Sequence, residues 1–297
     1  MLLLLAGIVV SVIALSGCVS DGSAAGPAGG GGEGGGGGGE GGGGGGGAAD
    51  DVPTTAFRLT DLDLRDPHAF TAILGCQDVT DAEGLSVNAE LEKLVREDNS
   101  GPDADAPDGL LDLSALALFR PLDPSAGDAD LEMMGGADCT APMDSTSCTP
   151  GAATAIALGA RNQLDGTCDA VKAGTTGDYA PAIAVPAAPC FATAAGDLDL
   201  ETGHLGTLAL ADTTIAATYD GDPADDLTRG VMRGFIAEAQ AAAIVLDTPL
   251  GERTLASFLP GAEGNCADHD ARDTGPDGET GWYLYLEFVA ETVAYDE

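Results

Sequence analysis

The densest group of side chains able to hold an ion lies between residues 98 and 112. Asp98, Asp103, Asp105, Asp108 and Asp112 crowd one loop, with Gly109 beside Asp108 at the turn. Calcium takes six to eight oxygens, and carboxylates at alternate positions of a tight loop supply them. Asp103 and Asp105 fit positions 1 and 3 of an Asp-x-Asp-x-Asp-Gly loop. With one residue inserted, Asp108-Gly109 fits positions 5 and 6 and Asp112 fits position 9. Ala115 stands where the loop would carry its bidentate Glu, so the expectation is a weak Ca2+ site that stabilises the fold. The bland alternative is a solvated acidic turn. A second acidic stretch, Asp268-His269-Asp270-Ala271-Arg272-Asp273, has looser spacing. There Arg272 competes for the carboxylates, and a solvated turn is the expectation.

The chain has seven cysteines, and an early one, Cys18, stands apart. The other six are Cys76, Cys139, Cys148, Cys168, Cys190 and Cys266. An even count in an exported chain reads as disulfides. No Cys-x-x-Cys occurs, which argues against a zinc ribbon or thioredoxin-type site. Cys139 and Cys148 flank a short polar loop and form the first expected pair. Cys168 with Cys190 is the next, and Cys76 with Cys266 would tie the ends of the domain together.

His68, His204 and His269 are the only histidines. None lies in a His-Glu-x-x-His motif, and there is no Gly-x-Ser-x-Gly elbow. His68 follows Asp66-Pro67 at an expected strand end, where a structural role is usual. A glycosidase-like pair of carboxylates would need spacing that nothing in the sequence singles out. A hydrolase is therefore the alternative reading, and no catalytic residue is assigned.

Charge narrows the partners. Of 49 acidic residues, five precede Val52, which leaves 44 against 11 basic ones and a net charge of −33 for the remainder. So negative a surface repels nucleic acid and anionic lipid headgroups. It suits divalent cations or solubility.

The elements that must position these groups read as follows. Phe57 to Leu64 alternates and predicts a strand, ended at Asp66-Pro67. Val87, Leu91, Leu94 and Val95 share one helical face and predict a helix from about Asn88 to Glu97. Residues 109–119 and 154–158 read as strands, and Cys190 to Tyr219 as several short ones. Asp222-Pro223-Ala224-Asp225 resembles a helix start, and Leu227, Val231, Phe235 and Ala239 follow at spacing four, predicting a second helix. Its Gly230 and Gly234 would let it lie close to a sheet. Gly281 to Val289 is the clearest strand. Trp282, Leu284, Leu286 and Phe288 would face the core, with Tyr283, Tyr285 and Glu287 on the sheet's outer surface. Many short strands with Gly and Pro turns predict a mainly β domain, an antiparallel β-sandwich with two peripheral helices and disulfides.

Before that domain lie two segments of other character. Residues 1–17 are a short apolar run, too short to span a bilayer and fitting a secretory signal. Residues 18–51 are mostly glycine, a tether with a mean reach of roughly 30 Å. The junction Leu15-Ser16-Gly17-Cys18 resembles the lipobox of bacterial lipoproteins. That resemblance implies cleavage before Cys18 and acylation of its sulfur with palmitate-type chains. Two acyl chains suffice for stable membrane anchoring. Val19 in place of Asp then implies the outer membrane of a Gram-negative bacterium. Asp66-Pro67-His68, Asp108-Gly109-Leu110-Leu111-Asp112-Leu113-Ser114 and Gly281-Trp282-Tyr283-Leu284-Tyr285 resemble exported lipoproteins of GC-rich Gram-negative bacteria, and no activity comes with that likeness. The expectation is a single disulfide-bonded domain over 52–297, displayed in the cell envelope as a binding or structural module. Its ligand would be extracellular or periplasmic.

Overall fold

The computed structural model describes residues 52–72, 75–84, 86–98, 107–201, 207–246, 251–263 and 265–297. The chain divides into Met1–Gly47 and Ala48–Glu297, and the fold is that of the second unit. The signal segment 1–17, the tether 18–51, Cys18, Asp103, Asp105 and His204 lie outside the described residues.

Eight strands carry the architecture: β1 (Thr55–Asp66), β2 (Leu116–Phe119), β3 (Asp128–Met134), β4 (Ile156–Gln163), β5 (Cys190–Thr193), β6 (Thr207–Gly221), β7 (Ala224–Ala237) and β8 (Thr280–Tyr295). Each pairs antiparallel with the next in chain order. β8 then pairs with β1 from Val293 opposite Ala56 to Tyr285 opposite Asp66. The expected class holds: the domain is mainly β and antiparallel, with two helices and three cysteine pairs. The walls that face each other across the core belong to one continuous sheet closed on itself, so the ring has no seam without hydrogen bonds.

An eight-stranded ring is just wide enough for side chains to fill. Phe57, Phe119, Leu131, Met133, Phe191, Ile215 and Trp282 enter from its several strands, all buried. Three bulges keep the apolar side inward. On β1 the parity shifts between Leu59 and Leu62, on β6 near Asp212, and on β7 near Arg229. Asp212 and Arg229 both have φ of 50°, the left-handed conformation in which a bulge residue lets the strand change face.

The predicted second helix is a correction. Residues 224–237 are β7, and the second helix, α2, is the short Glu238–Ala243 that follows. A spacing of four is also twice the strand period, so it does not separate helix from strand. The bulge at 228–229 then places Leu227 in the ring interior but Val231 and Phe235 outside it. The strand predicted over 109–119 is shorter, only β2. Leu111 and Leu113 donate to Cys139 and Leu94, on different neighbours, so no ladder forms before Leu116.

Helix α1 (Val87–Arg96) matches its prediction, with the Ser86 hydroxyl accepting the Ala89 N–H at 3.0 Å. It covers the edge of β1 that short β2 leaves unpaired. Asn88 acts as a substitute strand partner, accepting the Leu64 N–H at 2.7 Å and donating to the Leu64 carbonyl at 3.2 Å. Buried Arg58 donates to the carbonyls of Val95 and Leu113, a cation at the helix C-terminus. Burial lowers its pKa to about 10, against the raising effect of Glu291.

Outside the ring sit two smaller apolar clusters, each held by a disulfide. Cys139–Cys148 anchors a hairpin against Ala56, Leu116, Leu118 and Met134. Cys168–Cys190 anchors a long strap against Val231, Phe235, Tyr283 and Tyr285. The third bridge, Cys76–Cys266, joins the loops after β1 and before β8. All three pairings agree with the sequence expectation. Among the described residues no helix is long and apolar enough to cross a membrane.

Candidate functional site

The polar groups best placed to act are on the outer wall of β7 and β8, beneath the strap of residues 168–189. Alternation along β8 turns Tyr283 and Tyr285 outward, opposite Trp282 and Leu284. Both tyrosines are fully buried, which corrects their expected place on an open sheet surface. The base of the strap is fixed by Cys168–Cys190 and by the bridge of Thr167 to Ala187. Its further course is held by side chains reaching its backbone. Glu287 accepts the Ala184 N–H at 2.5 Å, Thr218 accepts the Ala187 N–H at 2.9 Å, and Tyr285 accepts the Lys172 N–H at 3.0 Å.

At the centre Asp212 collects cations and hydroxyls. Lys172 Nζ lies 2.7 Å from its Oδ2, the Tyr283 hydroxyl donates to the same oxygen at 2.7 Å, and Arg233 reaches Oδ1 at 3.3 Å. Burial pushes the Asp212 carboxyl up, but hydrogen bonds from Lys172 and Tyr283 and the Arg233 charge outweigh it and leave it below its ordinary value. The hydrogen bond to Asp212, then that to Tyr283, raises the Lys172 ammonium. Lys172 also sits 4.4 Å over the Tyr283 ring. These shifts lock both charges on, the reverse of what proton transfer needs. The cluster clamps the strap and fixes the left-handed backbone at Asp212.

The tip of the strap meets the end of β1. Asp66 Oδ2 accepts the Gly177 N–H at 2.7 Å. His68, an expected structural residue, bonds Asp78 through Nδ1 at 2.5 Å and stacks on Tyr179 at 4.1 Å between ring centroids. Phe70 stacks on His269 at 4.6 Å. Burial raises the Asp66 carboxyl to about 6, against the lowering effects of the Gly177 N–H and His68. For Asp78 burial acts upward too, but the hydrogen bonds from His68 and Thr80 prevail and lower it. Sequence reasoning assigned no role to Asp66, Arg233, Asp212 or Lys172. They come from separate strands and a loop, so no local spacing marks them.

The expected ion loop is partly in view. The Asp98 carboxylate accepts the N–H groups of Asp108 and Gly109 at 3.0 and 2.8 Å, closing the loop on itself. Asp108 accepts the Leu110 N–H at 2.9 Å, and the Asp112 N–H donates to Glu97 at 3.0 Å. Gly109 has φ of 89°, as its turn requires. Asp103 and Asp105 lie outside the described residues. Among the described residues no three His, Cys, Asp or Glu converge on one point. In the second acidic stretch Arg272 forks onto both oxygens of Asp270 at 2.9 and 2.6 Å, as its spacing predicts. A neighbouring carboxylate pair, Asp63 and Glu287, is bridged by Arg65 at 2.6 and 2.9 Å, and burial raises the Asp63 carboxyl against the lowering effect of Arg65.

No family model, curated protein or solved structure matches the chain.

Proposed function

We propose that the chain is a membrane-anchored lipoprotein of the cell envelope whose barrel serves as an exported structural or binding module. The single supporting observation is the set of three cysteine pairs within bonding distance, which suits an oxidising compartment. A ring filled with side chains gives a rigid body whose contacts with partners fall on its walls and loops. Cys18 would carry the lipid, and the glycine tether would set the domain away from the bilayer. In this reading calcium adds stability at the loop of Asp98, Asp103, Asp105, Asp108 and Asp112. Support for that is the closure of the loop by Asp98. The anchoring test is metabolic labelling with a fatty-acid probe. The wild type should be labelled and fractionate with membranes, and Cys18→Ser should do neither. Equal labelling of both would overturn the anchor.

A further inference from the structure

We propose that the strap tip is an acid-responsive latch over the β7–β8 wall, closing when Asp66 takes a proton and loosening when Asp66 ionises. This goes beyond envelope anchoring and does not depend on it. The tip, from Thr175 to Tyr179, docks on the buried Asp66 carboxyl and stacks on the His68 ring. Between its disulfide-held base and this tip the strap makes no strand ladder among the described residues. Lys172 is clamped to Asp212 and Tyr283, and Thr175 meets the Tyr285 hydroxyl at 2.6 Å; beyond them the tip rests on the Gly177 N–H to Asp66 and the Tyr179 stack, so it can lift while the clamp and Cys168–Cys190 keep the base.

The direction follows from burial. Asp66 is 4% exposed. As a carboxylate it gains by regaining water, which requires the tip to move away. As a neutral acid it loses that incentive. The groups that face it act in both directions. His68 lies beside it and favours the charge. Asp273, before β8, and Asp178, on the strap, oppose it. The Tyr179 and Tyr285 hydroxyls adjoin it, and Arg233 acts on Tyr285. Asp78 faces His68 from the other side. Lifting the strap uncovers two phenol rings and the Arg233 guanidinium, so the latch would govern access to that wall.

Hydrogen–deuterium exchange of the full chain, corrected for the intrinsic rate at each pH, tests the latch. Peptides within 172–187 should be about tenfold better protected at pH 5 than at pH 7.5, from linkage to a carboxyl that ionises near 6 when covered and near 4 when free. Peptides of β8 should show no such change. Asp66→Asn should protect the strap equally at both values, and at least as well as the wild type at pH 5. Tyr179→Ala, which removes the stack on His68 and leaves Asp66 in place, should give lower protection than wild type at both. Equal protection of the wild-type strap at the two pH values overturns the proposal. So does a pH dependence that survives Asp66→Asn, or one shared in step by β8.

Discussion

At the scale of single residues, stability is set by groups held against their preference. Asp66 is the clearest. Its carboxyl ionises near 6 in the folded chain, above the ordinary 3.8, so the folded state binds that proton more tightly than the unfolded one. The cost of the buried charge is full above pH 6 and is relieved as pH falls from 6 toward 4. Asp78 and Asp212 are shifted downward, and their contribution is lost only as pH falls below about 3.8. Asp66→Asn, which keeps an acceptor for Gly177, should therefore melt higher than wild type at pH 7.5, by an amount of order 2 kcal/mol. The gap should narrow by about half at pH 5 and close as pH falls toward 4. A gap that stays constant with pH would show that the charge is not its cause. Gly230 marks the opposite constraint, one of space. A Cβ there would stand 2.5 Å from the Phe288 ring. Gly230→Ala should cost about 1–3 kcal/mol, read as a lower midpoint in urea with an unchanged slope. The sequence shows these glycines plainly but attaches them to a helix, because period four fits helix and strand alike.

At the scale of elements, what was legible is what depends on local pattern. Alternation gave β8 and its inward set, and capping with a four-position apolar face gave α1. The three cysteine pairs were also within reach, since nested spacings leave a simple connectivity. What escaped depends on partners far away in the chain. The bulges at Asp212 and Arg229 exchange inside for outside only because β6, β7 and β8 must stay in the ring. The burial of Tyr283 and Tyr285 follows from a strap more than ninety residues earlier that no periodicity announces. The strap also makes a prediction of its own. Cys168–Cys190 closes a loop of sequence separation 22, worth roughly 3 kcal/mol through the unfolded chain. Replacing both cysteines by Ala should lower the unfolding free energy by that amount and release the strap first. Limited proteolysis should then cut within 172–187 before any barrel strand. Simultaneous cleavage of strap and barrel would mean that the staple serves the whole fold and not the strap.

At the scale of the molecule, charge dominates. A net −33 beyond residue 51 makes the folded domain repel itself, so any cation stabilises it to some degree by screening. A true calcium site must exceed that. Millimolar calcium should raise the melting temperature more than sodium chloride at equal ionic strength, by up to about 2.7 kcal/mol at a hundredfold excess over Kd. Asp103→Ala with Asp105→Ala should remove the excess and leave the sodium effect. If calcium acts equally on wild type and the double variant, its effect is screening alone.

The way the ring is closed also decides how it would bear load. β1 and β8 are the first and last strands of the ring, and their pairing is antiparallel, so the start of β1 and the end of β8 lie at one end of the barrel. There Thr54 and Arg120 bind Glu297, a clip across the mouth of the closing seam. A pull between Thr54 and Glu297 opens that seam like a zipper, loading its hydrogen bonds one after another instead of all at once. The unzipping stops at Cys76–Cys266, a covalent shortcut across a separation of 190 residues. Tension passes through that bridge and bypasses the chain between. Stretched by its ends, the oxidised protein can lengthen only through its first and last strands with their flanks, and the chain between Cys76 and Cys266 adds nothing to the extension.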